Sequence, residues 1–332
     1  MDKVSFEKVL SANRRLEGIV RHTPLELLYR DPAGMEVYVK LENLQKTGSY
    51  KFRGAYNCID RLSATDKENG VVCASTGNHA LGVALSCNLL GVNGTVFMPK
   101  NTPYVKSGKT KLLGYSRVKV ELRGDNFDEA CEWAMDYAAN EGKVFIHPFN
   151  DPTVIAGQGT VAVEVLQDLK DFDYIFVPVG GGGLMAGIVS YLSRFSKPKT
   201  HVFAVEPSGA AAMYESNKAG KVLTLNKVYD IVDAVAVKRP GDLAFEITRG
   251  RVEDYIVVND IEVCYRLQEL ASNYGIMAEP AGALSVAGMF EKMWKRDLDF
   301  EGKKVVCLVT GGNLNIDRID EIMDDAVIAQ YQ

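Results

Sequence analysis

Short apolar runs alternate with amphipathic stretches along almost the whole chain. Val37-Tyr38-Val39-Lys40-Leu41-Glu42 alternates β-branched and aromatic residues with polar ones, which predicts a strand. Further short apolar runs predict strands at 70–74, 96–99, 118–122, 144–146, 174–179, 201–206 and 304–309. Between them, apolar residues recur at helical spacing. Phe6, Val9, Leu10 and Leu16 mark a helix within 5–19; others are predicted at 55–62, 81–90, 105–113, 125–140, 160–169, 184–192, 261–274 and 280–294. His22-Thr23-Pro24-Leu25 reads as a turn into a short extended segment, and Asp151 to Gln158, with Pro152 and flanking glycines, reads as a junction. Residues 213–240 are less regular, with 233–237 a loop or strand. Strand followed by helix, many times over, predicts an α/β protein built on parallel sheets.

Composition narrows the class of function. The 332 residues suit one large or two medium domains. Hydrophobic residues make up 47% and charged residues 24%, as in an ordinary globular protein. A net charge of −5 gives no footprint for nucleic acid. No apolar run approaches the ~20 residues that span a bilayer, and Met1-Asp2-Lys3-Val4-Ser5-Phe6-Glu7 has no signal-peptide core. Six cysteines without a Cys-x-x-Cys pair predict reduced thiols and a cytoplasmic setting. The four histidines lie too far apart in sequence to suggest a metal site by spacing.

Chemistry concentrates where predicted strands give way to helices. The first such stretch is Lys46-Thr47-Gly48-Ser49-Tyr50-Lys51-Phe52-Arg53-Gly54-Ala55. Thr47, Gly48 and Ser49 are capping or turn residues, which sets Lys51 near a helix start. There the helix dipole and desolvation both favour the neutral amine that Schiff-base chemistry needs. The second is Ser75-Thr76-Gly77-Asn78-His79, whose amides and hydroxyls can hold a carboxylate; His79 can equally be a structural histidine. The third is Gly180, Gly181, Gly182, Gly183 and Leu184, a run of amides opening a helix and suited to a phosphate. It also fits G-x-G-x-x-A, with Glu206 about 20 residues on, so a dinucleotide-binding oxidoreductase is a second reading. The fourth is Thr310-Gly311-Gly312-Asn313, at the end of the last strand.

These four stretches, in this order, resemble the fold-type II pyridoxal-phosphate (PLP) enzymes, the threonine dehydratase and serine racemase group. The resemblance covers nearly the whole chain. It implies that Lys51 carries the cofactor, with Tyr50 beside it, and that Gly180 to Leu184 cradle the phosphate. Ser75, Thr76, Gly77, Asn78 and His79 would grip the substrate carboxylate, and Asn78 would bond the cofactor's phenolic oxygen. Thr310 stands where the family has a serine at the pyridine nitrogen. Glu279, within Ala278-Glu279-Pro280-Ala281-Gly282-Ala283, would line the cofactor. Val205-Glu206-Pro207-Ser208 resembles the start of the racemases' cation site. Glu206 and Ala210 match it, but Ala212 replaces the aspartate, so a monovalent ion fits better than a divalent one. Ala234 stands in place of a glycine beside the cofactor.

The implied fold is two open twisted, mostly parallel sheets with the active site between them. Residues 1–53 and 152–332 would form the larger, discontinuous domain and 54–151 the smaller. The implied activity is α,β-elimination on a small hydroxy amino acid: L-threonine, with L-serine, giving 2-oxobutanoate or pyruvate and ammonia. The setting would be isoleucine biosynthesis and the assembly a homo-oligomer. Serine racemase and 3-hydroxyaspartate dehydratase are alternatives with the same cofactor. The chain stops at Gln332, soon after the last motif, which implies a dehydratase without a C-terminal regulatory domain.

Overall fold

The computed structural model describes residues 3–195, 200–229, 231–322 and 324. Among the described residues there are ten strands: β1 (Leu25–Arg30), β2 (Glu36–Leu41), β3 (Val71–Ala74), β4 (Gly94–Met98), β5 (Val118–Leu122), β6 (Val144–Phe145), β7 (Tyr174–Pro178), β8 (His201–Pro207), β9 (Asp254–Val258) and β10 (Lys304–Val309). They form two sheets. One has six strands in the order β1-β2-β10-β7-β8-β9; the other has four, in the order β5-β4-β3-β6. The β1–β2 pair is antiparallel and every other pair is parallel. The two mostly parallel sheets are the architecture expected from the alternating pattern.

Burial explains why these strands read as continuous apolar runs. In β10, Val305, Cys307 and Val309 pack into one core, while Val306 and Leu308 pack into another on the opposite face. In β3, Val71 and Cys73 face one cluster, Val72 and Ala74 the other. Successive side chains alternate faces, and helices cover both, so every position is apolar.

Several elements differ from the sequence pattern. The helix after the lysine motif begins at Lys51 and runs as Lys51–Asp60, four residues earlier than expected. The expected junction is a helix, Pro152–Gln158, started by Asp151, whose carboxylate accepts the amides of Thr153 and Val154. Its Gly157 is there for contact. A Cβ on it would lie 2.7 Å from the Arg53 carbonyl oxygen and the Gly54 Cα. Strand β9 and the helices Ala64–Asn69 and Asp242–Thr248 were not marked by periodicity; residues 233–235 form a 3₁₀ turn, and 212–219 are helical.

Strand order locates the site. In the six-stranded sheet the chain runs outward from β7 to β8 and β9, while β10 and β2 lie on the other side. In the four-stranded sheet β4 and β5 lie on one side of β3 and β6 on the other. Ligands of such sheets bind beyond the carboxyl ends of strands flanking the reversal. Those ends are the four motifs: β2 leads to the lysine stretch, β10 to Thr310, β7 to the glycines and β3 to Ser75.

Candidate active site

Lys51 is the first residue of its helix, preceded by Tyr50 at the cap position, which makes no side-chain cap bond. Thr47, Gly48 and Ser49 are therefore turn residues and not caps: the Thr47 hydroxyl donates to the Ser49 carbonyl at 3.3 Å. The turn is zipped to the loop after β10. Tyr50 donates its amide to the Thr310 carbonyl at 3.2 Å, Gly312 donates to the Gly48 carbonyl at 2.9 Å, and Ser49 and Gly311 form an antiparallel bridge. The Lys51 Nζ donates to the Pro148 carbonyl at 3.2 Å and lies 5.4 Å from the centre of the Tyr50 ring. Desolvation brings its pKa down to about 8, against a smaller upward pull from Glu279.

The same segment that holds Lys51 shapes the glycine loop. Phe149 follows Pro148, and a Cβ on Gly181 would lie 2.2 Å from the Phe149 ring. Gly182 has φ +85°, a left-handed conformation that glycine takes without strain. Helix Gly183–Leu192 starts directly after it, so its first-turn amides have no intrahelical acceptor. The result is a close-walled cradle of backbone N–H groups one residue away from the contact of Lys51, a fit for a phosphate.

On the other side, Asn78 opens helix Asn78–Leu90, whose cap is Gly77 without a side-chain bond. The Ser75 hydroxyl accepts the Gly77 amide at 3.2 Å, and Ser75, Thr76, Gly77 and Asn78 are all partly exposed. The Asn78 amide donates to Glu279 Oε1 at 2.6 Å. Burial, then Asp233, pushes the Glu279 carboxyl up to about 7, with the Asn78 bond opposing. The Thr310 hydroxyl donates to the Ala281 carbonyl at 3.1 Å. The lysine amine is thus linked through Pro148 and Phe149 to the phosphate cradle, and the carboxylate loop through Glu279 to the loop beyond β10 that the lysine turn is zipped to; these donors and acceptors fit PLP.

The model of the pyridoxal-phosphate dependent enzyme family matches residues 16–311. The chain belongs to that family. Among relatives of this PLP enzyme, a biosynthetic L-threonine dehydratase, IlvA, of Bacillus subtilis (strain 168) is 44% identical over 328 residues, 98% of this chain and 76% of the relative. An L-threonine ammonia-lyase of Thermotoga maritima is 40% identical over 327 residues, 98% of this chain and 79% of the relative. The processed form of threonine deaminase isoform 2 from Solanum lycopersicum superposes with a TM-score of 0.91 at 32% identity, covering 97% of this chain and 93% of its own. Maize serine racemase superposes with a TM-score of 0.87 at 29% identity, covering 99% of each chain.

Two expected site residues have other tasks in this PLP enzyme. His79 is buried, its Nε2 donates to the Ile146 carbonyl at 2.8 Å, and burial followed by the nearby Lys51 lowers its pKa to about 3. Its side chain ties the helix to the segment after β6 and stays neutral; it does not reach for a carboxylate. Glu206 is buried too. Its two oxygens accept the amides of Met213 at 2.9 Å and Tyr214 at 2.6 Å, at the start of helix Ala212–Ala219. That use leaves it no ribose to hold, and with the family match it removes the dinucleotide reading. Ala210 is buried beside it, and among the described residues no group of three or more His, Cys, Asp or Glu can hold a metal.

Other contributors escaped the pattern. Pro148 and Phe149 lie in a loop without a motif. Asn313 closes a quoted motif but carried no assigned role. Arg53, two residues after Lys51, is fully buried between Glu42 and Glu164.

Proposed function

We propose that this PLP enzyme is a threonine dehydratase. It eliminates water from L-threonine to leave an enamine that water hydrolyses, so that the net products are 2-oxobutanoate and ammonia, and it acts on L-serine in the same way to give pyruvate and ammonia. The observation that carries this is the Lys51 amine, brought near neutrality and set between the phosphate cradle and the Asn78–Glu279 pair. When bound, PLP supplies the electron sink for charge that develops at the substrate's α-carbon. Lys51 would anchor the bound cofactor, and its Nζ, when free, would take the substrate's α-proton; a pKa of about 8 suits that task. The first-turn amides after Gly77 and the Ser75 and Thr76 hydroxyls orient the α-carboxylate. The amides at 180–184 would hold the cofactor's phosphate, and the Thr310 hydroxyl would serve its ring nitrogen. Loss of the α-hydrogen and the β-hydroxyl leaves an enamine, which water converts to the 2-oxo acid and ammonia. The activity belongs to isoleucine biosynthesis, in the cytoplasm, in a homo-oligomer. Division of the chain into 1–53 with 152–332, and 54–151, is supported by the second sheet's strands, which all fall within residues 71–145.

Absorbance tests the reading. The protein purified with PLP should be yellow, and borohydride should bleach the band by fixing the Schiff base. Lys51→Ala should fold, lose that fixation and lose almost all turnover. A colourless protein, or a Lys51→Ala variant with substantial turnover, would refute it.

A further inference from the structure

Four side chains from separate elements form one line of hydrogen bonds beside the proposed cofactor site. Lys109, on helix Tyr104–Gly114, donates to Asn313 Oδ1. Asn313 Nδ2 donates to Asn78 Oδ1 at 2.6 Å and to the Thr47 carbonyl at 2.9 Å. Asn78 Nδ2 donates to Glu279 Oε1 at 2.6 Å. Every bond points the same way, from Lys109 toward Glu279. Lys109 and Thr47 dictate this: an ammonium can only donate and a backbone carbonyl can only accept, so Asn313 turns its oxygen to Lys109 and its N–H groups to Thr47 and Asn78, and the Asn78 oxygen faces Asn313 while its N–H faces Glu279. Asn313 is used completely, its oxygen by Lys109 and its two N–H groups by Asn78 and Thr47. If its amide turned over, its oxygen would face two other oxygens. The Asn78 oxygen is therefore committed to Asn313 and one N–H to Glu279, which leaves one amide hydrogen.

We propose that Asn313 is a positioning residue: it fixes the direction of the Asn78 amide, so that Asn78 offers the cofactor an N–H and not an oxygen lone pair. The inference rests on the PLP reading of the site. Lys109 and the Thr47 carbonyl act behind Asn313, holding it in the one orientation that makes Asn78 a donor. The charged groups whose fields reach Glu279, at the far end of the line, are Asp233, Lys106, Lys109 and Lys51. Two of these lysines, Lys106 and Lys109, come from the helix between β4 and β5, so the line also joins the two sheets' halves across the cleft.

The test reverses the line without changing its shape. Asn313→Asp replaces the donating NH2 with oxygen. The new carboxylate still pairs with Lys109 but must accept from Asn78, which turns over and aims its oxygen at Glu279. Adding Glu279→Gln supplies a donor there and satisfies Asn78 in the opposite direction, while the Thr47 carbonyl lacks its donor in both variants. The readouts are PLP affinity by equilibrium dialysis, the absorbance of the bound cofactor across pH, the thermal midpoint, and kcat against KM. Asn313→Asp should weaken PLP binding about tenfold, the scale of one misdirected buried hydrogen bond, shift the cofactor band and lower kcat more than KM. The double variant should regain part of the thermal midpoint lost in Asn313→Asp, the remainder being the donor lost by the Thr47 carbonyl, while binding and band stay altered, because Asn78 is still reversed. Asn313→Ala, which removes the donor without reversing it, should weaken PLP binding by less, roughly threefold. Full recovery of PLP affinity together with stability in the double variant would show that the line only packs, and would overturn the proposal. So would a PLP affinity and spectrum of Asn313→Asp and Asn313→Ala equal to wild type. A wild-type protein that binds no PLP would overturn the cofactor reading itself, a result plainly distinct from either.

Discussion

Replacing Arg53 with methionine should destabilise the protein strongly, and more at neutral than at acid pH. The Arg53 guanidinium is fully buried and makes four bonds to carboxylates: to Glu42 at 2.8 and 2.7 Å, and to Glu164 at 2.6 and 2.8 Å. Lys40, also fully buried, adds a 2.7 Å bridge to Glu164. Two buried cations face the two buried carboxylates between the lysine helix, β2 and helix Thr160–Asp168, with the partly exposed Asp168 3.7 Å from Lys40 at the edge. Methionine fills the space but leaves one negative charge unmatched, at a cost of about 3–5 kcal/mol for a broken buried pair. At roughly 2 °C per kcal/mol for a long chain, the thermal midpoint falls by about 6–10 °C. Burial pushes the Glu164 carboxyl up, but Arg53 and then Lys40 outweigh it and hold it below its ordinary value of 4.5. A depressed carboxyl contributes stability above that ordinary value and loses it as pH falls through the folded one. In the variant Glu164, without Arg53 to hold its carboxyl down, takes up a proton earlier and sheds the unmatched charge. The gap from wild type should therefore be widest near neutrality and narrow as pH falls toward 4.5. The assay is differential scanning calorimetry at fixed excess PLP, from neutral to acid pH, since bound ligand shifts the midpoint. A fall of less than about 2 °C at neutral pH, or a gap that does not change with pH, would refute the reasoning.

Apoenzyme should capture PLP faster as pH rises, with a half-maximal rate near the Lys51 pKa of about 8, because only the unprotonated amine attacks. Stopped-flow absorbance checks this, and a rate flat across that range would speak against Lys51 as the attacking group. Gly182→Ala and Gly182→Asp should both lower the thermal midpoint, since φ is +85° there and a Cβ would lie 2.5 Å from Met213 Cε. Only the aspartate, facing a phosphate dianion, should add a loss of PLP affinity of at least about tenfold; equal affinities in the two variants would make the loop a mere turn. Thr76→Ala removes one hydroxyl but keeps the loop's amides and the Ser75 hydroxyl on the carboxylate, so it should keep most dehydration of L-threonine. Chiral chromatography of L-serine reactions should find pyruvate far ahead of D-serine; D-serine formed as fast, and lost in Thr76→Ala, would favour racemisation.

The sheets and the four strand-end motifs were legible because each depends on local pattern: buried strands are apolar throughout, and the loops that meet ligands need glycine or hydroxyl residues at the strand ends. The helix Pro152–Gln158 was not legible, although Asp151-Pro152 is a good helix start. Its Gly157 looks like a breaker until the backbone at Arg53 and Gly54 is seen pressed against it. Strand β9 is short, follows a charged loop and sits at the sheet edge, so its apolar run did not stand out. His79 and Glu206 lie in recognisable motifs, yet side-chain direction decided their tasks, and no spacing rule conveys direction. Pro148, Phe149 and Asn313 matter because of contacts across the cleft, which only the folded chain brings together.

The zip between the lysine turn and the loop after β10 has a consequence for how the protein is made. Asn313 bonds the Thr47 carbonyl across 266 residues of chain. A contact of such sequence separation closes a very long loop and forms late, after more local strand–helix units. During synthesis the lysine turn emerges early and waits, without its backbone partners, until β10 and residues 310–313 have been added. PLP offered to a nascent chain would meet an amine that is not buried, on a turn not yet held by the backbone of Thr310 or the side chain of Asn313. The site's capacity to retain cofactor should thus arise abruptly in a series of stalled chains, when the last motif clears the ribosome, and not grow in proportion to length.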